Sequence, residues 1–244
     1  MAYDIWMLCS FIMRKFISAL FIAFLFGAFS ARALSQTTIE LDQSLTGPAR
    51  GADSGAHYRY LFENPRFTTP VQELEFDGSG QGKFRFKRKD SDEVVNKLTV
   101  SPEVLSQIQL LLDDMNFLAS DEDYQHKKDF SHLGNMTISY SRGGKERTVK
   151  FNYTDNKSMS LLSDIFRNIV TQETRVFELE AVVANDPISA PAQLRILESE
   201  LKSKRVADPH RFDPILKNIK LDEGVPLIAR NHADRLLQMI SKGK

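Results

Sequence analysis

The sequence predicts an α+β fold: an antiparallel sheet from two strand-strand-helix units with helices on one face, followed by a small C-terminal helical segment. Three observations carry this. Aromatic residues alternate with polar ones in runs too short for helices, and each set of runs is followed by a stretch with apolar residues at helical spacing. Beyond Pro187 the alternation stops, while leucines and isoleucines keep the helical spacing.

The first run begins near His57, where Tyr58, Tyr60 and Phe62 alternate with Arg59 and Leu61. After Pro70, Val71, Leu74 and Phe76 form a second, which ends at the turn Asp77-Gly78-Ser79-Gly80-Gln81-Gly82. Phe84 and Phe86 alternate with the cations of 83–89, the pattern of a half-buried strand rather than of a basic patch, and 94–100 is a further strand candidate. Ser101-Pro102-Glu103 then reads as an N-cap serine, a proline at the first helical position and a first-turn acid. Val104, Ile108, Leu111 and Leu112 share one face of that helix until Asn116 closes it.

A hairpin follows, with Met136, Ile138 and Tyr140 leading into Arg142-Gly143-Gly144-Lys145, and Val149, Phe151 and Tyr153 leading back. A second helix starts around Ser158 and carries Leu162, Ile165, Phe166, Ile169 and Phe177. Composition shifts at Asn185-Asp186-Pro187. Three helices are expected after it, marked by Leu194, Leu197 and Leu201, by Asp208-Pro209 capping Phe212, Ile215, Leu216 and Ile219, and by Ile228, Leu236, Leu237 and Ile240. So small a unit cannot bury its stripes alone, so these helices are expected to dock on the second helix as an integral cap.

The N-terminus predicts export. Met13-Arg14-Lys15, an apolar stretch over 16–29 and Ala31-Arg32-Ala33 follow the order of a secretory signal peptide cut after Ala33. The apolar stretch falls short of the ~20 residues that span a bilayer, which favours cleavage over an uncleaved anchor. Translation starts at Met13, or the basic region is unusually long. The expected organisation is therefore a signal peptide over 1–33, a flexible lead-in over 34–55, an α+β domain over 56–185 and a C-terminal helical cap over 186–244.

Charge excludes one class of partner. The chain is neutral, and loss of residues 1–33 with Arg14, Lys15, Arg32 and Asp4 leaves 29 basic and 31 acidic residues. No field steers a polyanion, so no nucleic acid is expected as a partner. No membrane span is expected after signal cleavage. The single cysteine, Cys9, lies in the leader, so the mature chain has no disulfide, thiolate metal site or cysteine nucleophile.

The best cluster of reactive side chains is 121–132, with several carboxylates, His126 and His132 in a connection from helix to strand. His126, His132 and Asp129 are the candidate catalytic residues. With one acid from 121–123 they could also hold a metal, but their spacing matches no established ligand pattern, and Lys127 and Lys128 would repel a cation. The competing reading is a solvated loop in which Asp129 and His132 form local caps, and no metal or cofactor is expected. Elsewhere, Gly51 through His57 hold serine, histidine and aspartate too close together for a triad, and Asp77-Gly78-Ser79-Gly80 has too few acids for calcium. His232, beside Arg230 and Asn231, is expected to be a partly buried histidine held by a backbone carbonyl.

Phe76-Asp77-Gly78, Ser101-Pro102-Glu103 with Phe117 after it, Tyr124, the loop 129–134, Gly143-Gly144-Lys145-Glu146-Arg147 and the tail segment 226–233 together resemble a set of exported bacterial proteins of unknown function, over roughly residues 57–241. The resemblance implies this domain layout and a bacterial envelope location, and no activity. Small exported domains of similar order often carry cysteines in the first hairpin, which this chain lacks. The expectation is thus a periplasmic or secreted, non-enzymatic protein that binds or scaffolds an envelope protein or ligand. The rival is a hydrolase or metal-dependent enzyme built on 121–132.

Overall fold

A computed structural model describes residues 55–243; the expected signal peptide and nearly all of the lead-in lie outside them. Four strands come first: β1 (His57–Glu63), β2 (Val71–Asp77), β3 (Gln81–Lys87) and β4 (Glu93–Thr99). Helix α1 (Pro102–Asp114) follows, then the hairpin β5 (Asn135–Arg142) and β6 (Lys145–Phe151), and α2 (Lys157–Asn185). Three helices complete the described residues: α3 (Ala190–Lys202), α4 (Asp213–Leu221) and α5 (Leu227–Ser241). The strands form one antiparallel sheet ordered β4-β3-β2-β1-β5-β6, an α+β fold. The first unit is thus a four-strand meander and the second a hairpin.

The alternation read from the sequence sets the two faces. Tyr58 and Tyr60 pair across to Phe76 and Leu74 on one side and to Tyr140 and Ile138 on the other, so large apolar side chains share one face. Tyr58 stacks on both Phe76 and Tyr140, with ring centroids 5.0 Å apart in each case. On this face pack Val104, Leu105, Ile108 and Leu112 of α1 and Met159, Leu162, Phe166 and Ile169 of α2. The opposite face is polar, and there Glu73 is gripped between Arg59 (2.6 Å) and Arg85 (3.0 Å). In the β5–β6 turn, Gly143 and Gly144 take φ of +59° and +76°, the left-handed pair that a two-residue hairpin turn requires.

Helix termini show what propensity leaves open. Ser101 sits at the N-cap of α1 in extended conformation, but its side chain makes no capping bond. The working cap is at α2, where Asn156 accepts from the Met159 N–H at 2.9 Å. Asn116 takes a left-handed φ of +44° just past α1.

Helix α2, 29 residues long, is the spine of the molecule. Its first half closes the sheet core. Its second half gives Val176 and Leu179 to another cluster with Leu194 and Leu197 of α3, Leu216 and Ile219 of α4, Leu236 of α5, and Phe212. Polar clamps fasten this cluster to α2. Arg175 forks onto both Glu200 oxygens at 2.9 Å and reaches Gln193 at 2.6 Å. Glu173, almost wholly buried, takes two bonds from Arg211 at 3.0 and 3.1 Å, and the Gln172 side chain accepts from the Asp208 N–H at 2.7 Å.

Two expectations for the last helix need correction. Ile228 is two-thirds exposed, and the buried stripe of α5 runs through Ala229, His232, Ala233, Leu236 and Ile240 instead. Starting the register one residue later turns Ile228 outward. His232 is buried, but its Nε2 meets the Glu198 carboxylate at 2.9 Å rather than a backbone carbonyl. Lys202, and then His232, hold the Glu198 carboxyl below its usual range. Among the described residues, no helix is long and apolar enough to cross a membrane.

Candidate functional site

The loop over 121–132 is laced to the neighbouring hairpin by one buried side chain, Asn152. Its Oδ1 accepts from Gln125 Nε2 (3.0 Å) and the Phe130 N–H (3.1 Å), while its Nδ2 donates to Asp129 (2.6 Å). Asp129 also accepts from the Ser131 N–H at 2.8 Å, and these two bonds, the backbone one foremost, hold its carboxyl below the ordinary range. His126 Nδ1 accepts from the Lys128 N–H at 2.9 Å, which puts the ring proton on Nε2, facing Asp155 at 3.3 Å. The His132 ring is exposed beside Phe130, and the His132 carbonyl accepts from Asn64.

Asp129 and His126 therefore serve different partners, Asn152 and Asp155. Among the described residues, no group of three or more His, Cys, Asp or Glu side chains is placed to hold a metal ion. Arg147 secures the start of the same segment: it donates to the carbonyls of Phe117 (2.8 Å) and Glu122 (2.6 Å) and lies over the rings of Phe117 and Tyr124.

A different place combines depth with unspent polar groups. A cavity of about 560 Å³ opens where β1, the β1–β2 connection, α2 and α3 meet. Its apolar wall is Phe62, Phe67, Leu133 and Val170; its polar lining includes Tyr60, Arg167, Thr171, Thr174, Arg175 and Glu200. Phe67 and Leu133 stand at the rim nearly half exposed, at 46% and 47%. Gly134 lets the wall form: it has a φ of +97°, and a Cβ there would lie 2.5 Å from the Phe62 ring.

Two hydroxyls in this lining, Tyr60 Oη and Thr174 Oγ1, are buried without a hydrogen-bond partner. Such groups are uncommon, because each forfeits its hydration without replacement. Burial pushes the Tyr60 hydroxyl up to about 12, with the nearby Arg167 guanidinium opposing the shift. The two arginines differ in what they hold. Arg175 engages all three of its nitrogens with Glu200 and Gln193, whereas Arg167 holds Asp164, one turn away on its own helix, and the Met136 thioether, and lies beside the Tyr60 hydroxyl.

No protein-family model matches the chain, and no curated protein matches it in sequence. The cavity therefore rests on its own geometry. It was missed in the sequence because its residues come from four separate segments. One signal was present: Arg167, Val170, Thr171, Thr174 and Arg175 recur at helical spacing on a side of α2 next to the apolar stripe. A polar stripe on a helix ordinarily reads as a solvated face, and only the β1–β2 connection and α3 folding over it make it a lining.

Proposed function

We propose that this is an exported, non-enzymatic binding protein of the bacterial cell envelope, periplasmic or secreted, and that the cavity between β1, α2 and α3 is where it holds a ligand. Export rests on the three-part leader ending at Ala33. Binding rests on a single observation: Tyr60 and Thr174, whose buried hydroxyls make no hydrogen bond, belong to the lining of a cavity with an apolar wall of Phe62, Phe67, Leu133 and Val170. A mostly apolar concavity with a few convergent polar groups is the general form of a small-molecule site, and 560 Å³ lies within the usual ~300–1,000 Å³. The hydrogen bonds lacking inside the protein are those a ligand would make.

Nothing in this cavity resembles a nucleophile activated by a base, so holding a ligand rather than transforming it is the reading its chemistry favours. The test is non-denaturing mass spectrometry of protein exported by its own host, alongside Thr171→Trp, which puts a large side chain into the lining. Wild type should carry a small-molecule adduct that the variant lacks. Wild type without any adduct, and without a gain in thermal stability across a metabolite library, would contradict the proposal.

A further inference from the structure

We infer that the cavity takes an amphipathic monocarboxylate, its carboxylate received by Tyr60, Thr174 and Arg167 and its apolar body lying along Phe62, Phe67 and Leu133. The inference rests on the binding function proposed above and goes beyond it by fixing the charge and shape of the ligand.

The sign of the head group follows from which partners are already taken. Glu200 is the carboxylate in the lining, and Arg175 occupies both its oxygens at 2.9 Å. A cationic ligand would find no acceptor charge free. Arg167 is differently placed. Its Nη1 meets Asp164 at 3.0 Å in an exposed pair, and its Nη2 meets the Met136 sulfur at 3.1 Å. An exposed ion pair holds a side chain weakly, and a thioether is a weak acceptor, so a better acceptor entering the cavity would displace either. Tyr60 is 1% exposed; its hydroxyl lies beside the Arg167 guanidinium without a well-formed hydrogen bond, and like the Thr174 hydroxyl it can donate. Three residues of one lining that can donate, with the lining carboxylate neutralised, suit an anion with several lone pairs.

The shape of the body follows from the wall. Phe62 and Phe67 meet with ring centroids 5.7 Å apart, and Phe67 and Leu133 carry the exposed apolar surface at the mouth. A ligand that was all head would leave these side chains wet. One with an alkyl or aryl body would cover them.

The experiment is calorimetric titration of protein expressed from the full chain and purified after export, with four probes: decanoate, decanol, decyltrimethylammonium and acetate. Decanoate should bind at one site; decanol and decyltrimethylammonium should bind about tenfold more weakly or not at all, and acetate not at all. Tyr60→Phe and Arg167→Gln should each weaken decanoate about tenfold, the first melting at or above wild type and the second close to it because its exposed Asp164 pair is weak, and Phe67→Ser should weaken binding by covering less of the chain. Decanol or decyltrimethylammonium binding as tightly as decanoate would overturn the carboxylate assignment and leave the binding function standing. Decanoate affinity unchanged in both Tyr60→Phe and Arg167→Gln would overturn the location of the head group. If none of the ten-carbon probes binds, and a native adduct is also absent, both this inference and the binding function fall.

Discussion

Phe212→Ala tests whether the C-terminal helices are part of the fold or a separate module. Phe212 is fully buried, in the cluster that Val176 and Leu179 of α2 share with α3, α4 and α5. Truncating such a ring leaves a cavity and removes its transfer free energy, about 3–5 kcal/mol together. A domain of this size loses roughly 2–4 °C of melting temperature per kcal/mol, so the midpoint should fall by roughly 6–20 °C. The loss should appear in a single transition, because one continuous helix carries both hydrophobic clusters and cannot melt at one end without exposing Phe177 and Val182. The assay is thermal unfolding followed by far-ultraviolet circular dichroism and, in parallel, by tyrosine fluorescence, which reports on the sheet. A fluorescence midpoint that stays put while the helical signal melts early would refute the reasoning. So would a fragment ending at Asn185 that melts with the full protein.

Other expectations follow from particular contacts. Arg175→Met alone leaves Glu200 buried and uncompensated and should cost about 3–5 kcal/mol, while Arg175→Met with Glu200→Leu should recover most of it; urea unfolding of the two variants measures the difference. Tyr60→Phe removes a buried hydroxyl with no partner and should leave stability unchanged or raise it by about 1 kcal/mol, so a clear loss would mean the hydroxyl is bonded. Asp129 titrates below its ordinary 3.8 when folded, so its bonds contribute fully above that pH and are lost as pH falls through the lowered value. Proton-detected titration should place its midpoint below 3.8, and Asn152→Ala should move it upward. N-terminal sequencing of exported protein should begin at Leu34; a membrane-bound chain retaining 16–29 would contradict the signal peptide.

The sheet and helices were legible because they rest on short-range periodicity. Tyr58, Tyr60 and Phe62 alternate, Gly143-Gly144 can only turn, and Pro102 opens a helix whose apolar face is plain. What lay beyond reach depends on how segments meet. The Ile228 register depended on α5 starting at Leu227, after Pro226, and its stripe includes Ala229 and Ala233, small residues that a hydrophobicity pattern underweights. The His232–Glu198 contact joins residues 34 positions apart, on α5 and α3. The 121–132 loop is dense in reactive side chains along the sequence, yet in the fold Asn152 and Asp155 occupy Asp129 and His126. The cavity was hidden for the opposite reason: Tyr60 is outwardly one more strand aromatic, and only tertiary packing leaves its hydroxyl unpaired.

The most direct measurement is a two-dimensional amide and methyl spectrum of isotope-labelled, exported protein titrated with decanoate. If the cavity is the binding site, saturable shifts should concentrate on Tyr60, Phe67, Leu133, Thr171 and Thr174, with the 126–129 segment unmoved. Shifts centred on His126 and Asp129, or spread without saturation over the apolar surface, would contradict it.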